Sequence, residues 1–488
     1  VGQLTPFQMI SIIRHGLKKT HRTRKIIIIG AGMAGLVAAS LLKEAGHDVK
    51  ILEASERVGG RVLTIRSPFT DGEYIDVGPM RLPSTHYYTM EYIDKFGLPI
   101  NRFINSTPND IIYVNGVKTR IKIYEQNPSI LQYPVKPHER QKTFVQLLNT
   151  AFQPLYDLIN QDPQRNWAML TKELDKYSLD TYLRYNPFGV KLSLGAIEQA
   201  IVLSGTEGLS EMGFLDIFRE YLVFLNPNVH LYEITGGNDQ LPKAFLPQLK
   251  ENIFFQQEVR KIIQHENKVT IESIHAQTSK PFKMTGDFAI VAIPFSVLRF
   301  VKVEPRSSFS YQKWKAIRQL PYISSVKIGV QFKNRFWEKE GMFGGQTITD
   351  IPLRSAYYPS HGFGKKSGVL LGSYTWEEDA KVWGRLTEEE QIQYVADSLA
   401  DIHGKHILDD VVTGVAQNWT QYRYSGGAFA MFKPGQETEL YPYISSPEGK
   451  VHFAGEHASL YHSWIQGAIE SGIRAAFEVN NRSEQENP

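Results

Sequence analysis

The chain of 488 residues contains no cysteine. Disulfides and thiolate metal sites are therefore excluded, although the absence fixes no redox compartment. It also lacks a long hydrophobic run. The longest uncharged stretch, residues 26–42, is broken by glycines and slightly short for a membrane span, so no transmembrane helix is expected. Charge of one sign is missing too. Lys and Arg total 54 against 51 Asp and Glu, and the resulting net charge of +3 does not point to nucleic acid. The 14 histidines are scattered, with no H-E-x-x-H or comparable spacing, so no metal is expected. No G-x-S-x-G elbow is found. The first 24 residues hold no acid. Such a composition suits a transit peptide or an amphipathic helix docked on the domain, and the helix is preferred, with Phe7, Ile10, Ile13 and Leu17 on one face. That segment has no long apolar core of a secretory signal. A cytoplasmic location is expected, with processing ahead of Val1 left open.

What is present centres on residues 25–53. Ile26, Ile27, Ile28 and Ile29 read as a strand buried on both faces. Gly30-Ala31-Gly32-Met33-Ala34-Gly35 follows as G-x-G-x-x-G, then strong helix formers over 36–45 and Gly46 as a helix stop. Residues 49–52 read as a second strand with Glu53 at its end. Gly30 permits a tight turn, Gly32 lets a pyrophosphate approach the backbone, and Gly35 lets helix and strand pack closely. The helix start offers N–H donors and a positive dipole end to phosphates, and Glu53 is placed for ribose hydroxyls. Arg57, Gly60 and Arg61 follow in a second glycine–arginine cluster that adds phosphate donors to the same ligand.

Further along, residues 111–114, Asn115-Gly116 and 117–123 read as a hairpin with a type I′ turn. Apolar residues at helical spacing fill 124–224. Strands are expected over 254–260, 268–274, 287–293, 324–332 and 369–376, and a helix capped by Thr387 over 387–402. Lys327 lies inside an otherwise apolar strand, which is odd packing for a lysine without a task. Near the end, a short strand over 451–453 leads to Gly455-Glu456 and a helix starting near Trp464. The tail after Asn480 is polar and expected to fray.

The pattern from the fingerprint through Glu53-Ala54, Arg57 and Gly59-Gly60-Arg61 resembles the flavin amine oxidase superfamily, which includes monoamine, polyamine and L-amino acid oxidases. The resemblance continues in the Gly-Gly turn at 236–237 and in the closing Phe453-Ala454-Gly455-Glu456 with Gly467, Ala468 and Gly472. It implies FAD, bound non-covalently because no cysteine exists for a thioether. By the same resemblance Gly78, Pro79 and Met80 form a turn over the flavin, Val259 pairs its backbone with the adenine, and Trp419 lies near the ring system. Gly455, Glu456, Trp464, Ile465 and Ala468 complete the cofactor site, joining Gly30, Gly32, Met33, Ala34, Gly35, Glu53, Ala54, Arg57, Gly60 and Arg61. Lys327 corresponds to the lysine that reaches flavin N5 through a water.

Gly78-Pro79-Met80-Arg81 resembles bacterial L-amino acid oxidases in particular. A guanidinium there can grip a carboxylate with two parallel hydrogen bonds. Tyr374 corresponds to a second carboxylate contact, and Trp464 to a wall of the substrate site. Ser463 stands where some of these oxidases have glycine. The implied fold is α/β, with a Rossmann-like FAD-binding domain (25–72, 230–304, 445–480), a mixed-sheet substrate domain (1–24, 73–123, 305–444) and an inserted helical domain (124–229). The implied reaction is oxidation of an L-amino acid by hydride transfer from its α-carbon to flavin N5. A 2-oxo acid, ammonia and hydrogen peroxide would follow, with molecular oxygen as acceptor. The alternative is an oxidase of amines that lack a carboxylate. A homodimer is an expectation at the level of the family.

Overall fold

The first strand, Lys25–Ile29, divides the interior in two. Its side chains alternate, so Ile26 and Ile28 pack into one apolar core while Ile27 and Ile29 pack into another on the opposite face. The first core is closed by the helix Met33–Ala45 and the C-terminal helix Ile465–Gln485. The second is closed by the four-stranded mixed sheet holding Gln257–Gln264 and by Phe295, Phe309 and Phe453. This computed structural model describes residues 3–485. The strand is central in a five-stranded sheet ordered Ile253–Phe254, Asp48–Leu52, Lys25–Ile29, Phe288–Val291 and Val451–Phe453. Every neighbouring pair is parallel, which requires crossover connections and leaves both faces covered.

A second large sheet has seven strands, with Ser325–Phe332 between Gly368–Trp376 and Val411–Asn418. A bundle between them in sequence includes Phe144–Gln161, Leu194–Leu203 and Phe214–Phe224, packed around Phe152, Phe214 and Phe218. The fold is thus mixed α/β. Three strands of the parallel sheet end towards one cavity, through Gly30, Glu53 and Gly455, as ligand sites do at the carboxyl ends of such strands.

Four local readings change. The N-terminal helix is Pro6–His15, but its buried face is Met9, Ile12 and Ile13, and Phe7 is 82% exposed. The spacing 9, 12, 13 follows the helical repeat more closely than the expected 7, 10, 13, 17, and Leu17 is buried only after the helix has ended. Asn115 and Gly116 both have positive φ, as the hairpin turn requires, yet the return strand stops at Arg120 and Ile121–Gln126 is helical. The expected strand over 254–260 is two strands in different sheets, because Gln256 takes a left-handed φ of 58° between them. The tail does not fray at Asn480. Its helix continues to Gln485, with Ser483 buried and the Ser483 carbonyl accepting from Arg24 at 3.0 Å. Residues 1–2 of the basic N-terminal segment and the last three residues of the tail lie outside the described residues.

Gly35 shows how tightly the first turn is built. A Cβ on Gly35 would stand 2.0 Å from the Gly30 carbonyl oxygen. Gly35→Ala is therefore expected to force helix and strand apart, at a cost of roughly 1–3 kcal/mol. A lowered melting temperature together with faster flavin loss, followed by flavin fluorescence on heating, checks it; unchanged values would refute the packing argument.

Candidate active site

One cavity of about 490 Å³ gathers most of the residues singled out from the sequence. Its lining includes Gly30, Gly32, Met33, Ala34, Glu53, Ala54, Gly60, Arg61, Gly78, Pro79, Met80, Arg81, Val259 and Lys327. Tyr374, Trp419, Gly455, Glu456, Ser463, Trp464, Ile465 and Ala468 also line it. Gly35 does not, in keeping with its packing role. Arg57, expected as a phosphate donor, does not line it either. Its guanidinium donates to the Gly60 carbonyl at 2.6 Å and to the Tyr422 hydroxyl at 3.1 Å, so it fastens the 57–62 loop from behind.

The nucleotide half has the donors and the space for a dinucleotide. A Cβ on Gly32 would meet nothing within 4 Å, and the helix that follows it has no side-chain cap. Its first N–H groups remain available for an anion. Arg61 lines the same region, held by the Ala428 carbonyl at 3.1 Å and by Glu456 at 3.3 Å. Glu53 accepts from the Ala31 N–H at 2.9 Å and from the Ser55 N–H at 2.7 Å. A carboxylate fixed from both sides is ready for ribose hydroxyls without further ordering cost.

The second half is built on the turn at 77–80. Three side chains from distant parts of the chain donate to three successive carbonyls of this turn. Trp419 Nε1 reaches the Val77 oxygen at 2.8 Å, Lys327 Nζ the Gly78 oxygen at 2.6 Å, and Asn238 Nδ2 the Pro79 oxygen at 2.8 Å. Arg81 emerges from this pinned turn. Its Nη1 donates to Asn105 Oδ1 at 2.9 Å and to the Tyr357 hydroxyl at 3.3 Å, and its guanidinium carbon lies 4.6 Å from the Phe224 ring centre. Among the described residues no carboxylate comes within ion-pair distance of it.

Lys327 and Tyr374 are opposite one another on the antiparallel strands Ser325–Phe332 and Gly368–Trp376. The Lys327 ammonium lies 4.4 Å from the Tyr374 ring centre. Burial pushes Lys327 down to about 7, with the positive charge of Arg81 acting in the same direction and Asp76 opposing. Near neutral pH a large share of Lys327 is therefore a free amine, which donates to Gly78 while keeping a lone pair. Burial pushes Asp76 up to about 7 against hydrogen bonds from Thr64 and the Asn238 N–H. Burial also pushes Glu220 up to about 7, and hydrogen bonds from Ser463 and Trp464 only partly offset it.

Glu220, Phe224, Asn105 and Tyr357 line the cavity but were not singled out from the sequence. Glu220 carries a weak sequence signal, a carboxylate four residues after Asp216 and four before Phe224 in the helix Phe214–Phe224. Asn105 and Tyr357 carry none.

A parallel dinucleotide-type sheet, a glycine-rich strand–helix turn and a second sheet presenting a buried lysine to one cavity define a flavin-binding oxidoreductase. The chain belongs to the flavin-containing amine oxidoreductase family, whose model matches residues 33–480. FAD is its expected cofactor, and with no cysteine in the chain thioether attachment is excluded. Among curated relatives, a Bacillus subtilis (strain 168) protein named "Putative L-amino-acid oxidase YobN" is 53% identical over 97% of this chain and 98% of its own length. The L-amino-acid oxidase of Siganus canaliculatus is 36% identical over 98% of this chain and 89% of its own. Among solved structures, a putrescine oxidase redesigned at its cofactor site has a TM-score of 0.76 and 19% identity, covering 94% of this chain and 99% of that one. Cyclohexylamine oxidase from Brevibacterium oxydans IH-35A has a TM-score of 0.72 and 21% identity, covering 95% and 99%. These two establish the fold alone. Among the described residues no helix is long and apolar enough to cross a membrane.

The depressed Lys327 has a consequence for stability. The unfolded chain holds the lysine proton up to about 10.5 and the native chain only to about 7. Between these values the unfolded state binds more protons, so this group's contribution to stability improves as pH rises. Relative to Lys327→Met, the wild-type protein should gain on the order of a few kcal/mol across that window. Melting temperatures of both proteins between pH 7 and pH 10 check it; a constant difference would place the lysine in solvent.

Proposed function

We propose that this protein is an L-amino acid oxidase, converting an L-amino acid, oxygen and water to a 2-oxo acid, ammonia and hydrogen peroxide. The observation that carries the reading is the Arg81 guanidinium. It lines the cavity on a pinned turn, is oriented by Asn105 and Tyr357, and has no carboxylate partner among the described residues. A half-buried guanidinium without a carboxylate partner can take an anion from outside, and the planar fork suits a carboxylate. The names of the relatives at 53% and 36% identity point the same way.

Bound FAD supplies the two-electron acceptor. The protein supplies orientation. Arg81 and the Tyr374 hydroxyl fix the carboxylate, and Ser463 and Trp464 wall the opposite side, so that the α-carbon hydrogen is presented in one direction. The amine must be neutral for its C–H bond to be oxidised. Lys327, close to its own midpoint at neutral pH and buried beside Tyr374, is placed to accept a hydrogen bond from a water on its remaining lone pair. That water is available to hydrolyse the imino acid. The aromatic wall of Phe224, Tyr357 and Trp419 limits the access of bulk solvent until then.

A peroxide assay of the holoenzyme with the twenty L-amino acids and with simple amines tests the reaction. Peroxide from amines alone would transfer the protein to the amine oxidases. Arg81→Ala should retain FAD and lose roughly 30- to 5000-fold in kcat/KM on amino acids, the range for removing one partner of a buried charge-assisted pair. An amine without a carboxylate, where turned over, should lose little. A change below about threefold on amino acids would move carboxylate recognition elsewhere.

A further inference from the structure

Glu220 is a carboxylate lining the cavity that Arg81 and Lys327 also line. It lies on the helix Phe214–Phe224, four residues before Phe224, and so on the same face. Phe224 covers the Arg81 guanidinium at 4.6 Å and meets the Trp464 ring at 6.0 Å. Glu220 is therefore about one helical turn, roughly 6 Å, from the ring that covers Arg81. Both its hydrogen bonds end on Oε1, from Ser463 Oγ at 2.6 Å and Trp464 Nε1 at 3.0 Å. Among the described residues no cation comes within ion-pair distance of it.

Ser463 holds this carboxylate at a cost. Its φ is +75°, a left-handed conformation that favours glycine. A glycine would relieve the backbone but would leave Glu220 without its shorter hydrogen bond. The strained serine and the half-buried acid thus form one unit on the cavity wall.

We propose that Glu220 is a specificity-determining residue and that the preferred substrates are L-amino acids with a cationic side chain, such as lysine, ornithine or arginine. This rests on the L-amino acid oxidase reading. With the substrate carboxylate on Arg81 and the reacting amine neutral, a cationic substrate side chain would supply Glu220 with the ion-pair partner it lacks among the described residues. An extended lysine side chain spans on the order of 6 Å from its α-carbon, by standard bond lengths. An apolar side chain laid against Glu220 would offer the carboxylate no ion-pair or hydrogen-bond partner.

The test is the ratio of kcat/KM for L-lysine to that for L-leucine, measured by anaerobic flavin reduction with holoenzyme. Wild type should favour lysine by roughly tenfold or more, and Glu220→Gln, which keeps shape and removes charge, should lower the ratio at least about 30-fold. The loss on lysine should fall mainly on KM. Ser463→Gly, which relieves strain and so should fold, should lower the same ratio by a smaller factor. If Glu220→Gln lowers lysine and leucine equally, the acid faces the α-amine and the proposal fails. If wild type reduces its flavin with leucine but not with lysine, the oxidase reading stands and the proposal fails. If no amino acid reduces the flavin while an amine does, the oxidase reading itself fails and takes the proposal with it.

Discussion

The turn at 77–80 is the constraint on which the rest of the site depends. Its three carbonyls would be unsatisfied in a cavity wall, and each receives a donor from a different part of the chain: Trp419, Lys327 and Asn238. Satisfying them fixes the backbone from which Arg81 projects. The same bonds fix the donors. Lys327 cannot move without abandoning Gly78, and Asn238 is held in turn by accepting the Ile234 N–H at 2.9 Å. The turn therefore ties the glycine-rich nucleotide region, the seven-stranded sheet and the return strand Leu231–Ile234 to one geometry.

A second set of charges ties the helix bearing Glu220 to the C-terminal segment. Asp216, one turn before Glu220, accepts from the Phe432 N–H at 2.8 Å and meets His462 Nδ1 at 3.0 Å. The facing carboxylate outweighs burial and pushes His462 up to about 9, while Asp216 is held below its ordinary range. Arg219 bridges the same helix to Glu437 at 2.7 and 2.9 Å. Buried pairs of this kind contribute less to net stability than to geometry, because desolvation offsets much of their attraction. Here the geometry is that of Ser463 and Trp464, which follow His462 directly and carry the donors to Glu220.

Burial dominates the titration of three groups in and beside this site. Lys327, Asp76 and Glu220 are each drawn by burial towards about 7, from opposite ordinary values. Groups near their midpoint at working pH can exchange protons at little cost. The arrangement suits a substrate that must arrive with its carboxylate charged and react with its amine neutral.

The sequence alone determined the elements whose signals are local. The strand, glycine turn, helix and acid of 25–53 are encoded by spacing within one contiguous stretch, because backbone geometry answers to neighbouring residues. Lys327 was legible as an anomaly, a lysine in an apolar strand. Arg81, Tyr374, Ser463 and Trp464 were legible only through resemblance, and the cavity gathers all four. Tertiary structure decided what depends on partners hundreds of residues away. Arg57 sits in the fingerprint but spends its donors on Gly60 and Tyr422. Phe7 looks like core and is exposed, while the polar tail is helical because Arg24, Thr20 and His21 meet its end. Glu220 looks like an ordinary surface acid until its helix packs against Ser463 and Trp464. Hydrophobic period and turn chemistry are written along the chain, but the choice of hydrogen-bond and ionic partner is made only when distant segments close on one another and exclude water.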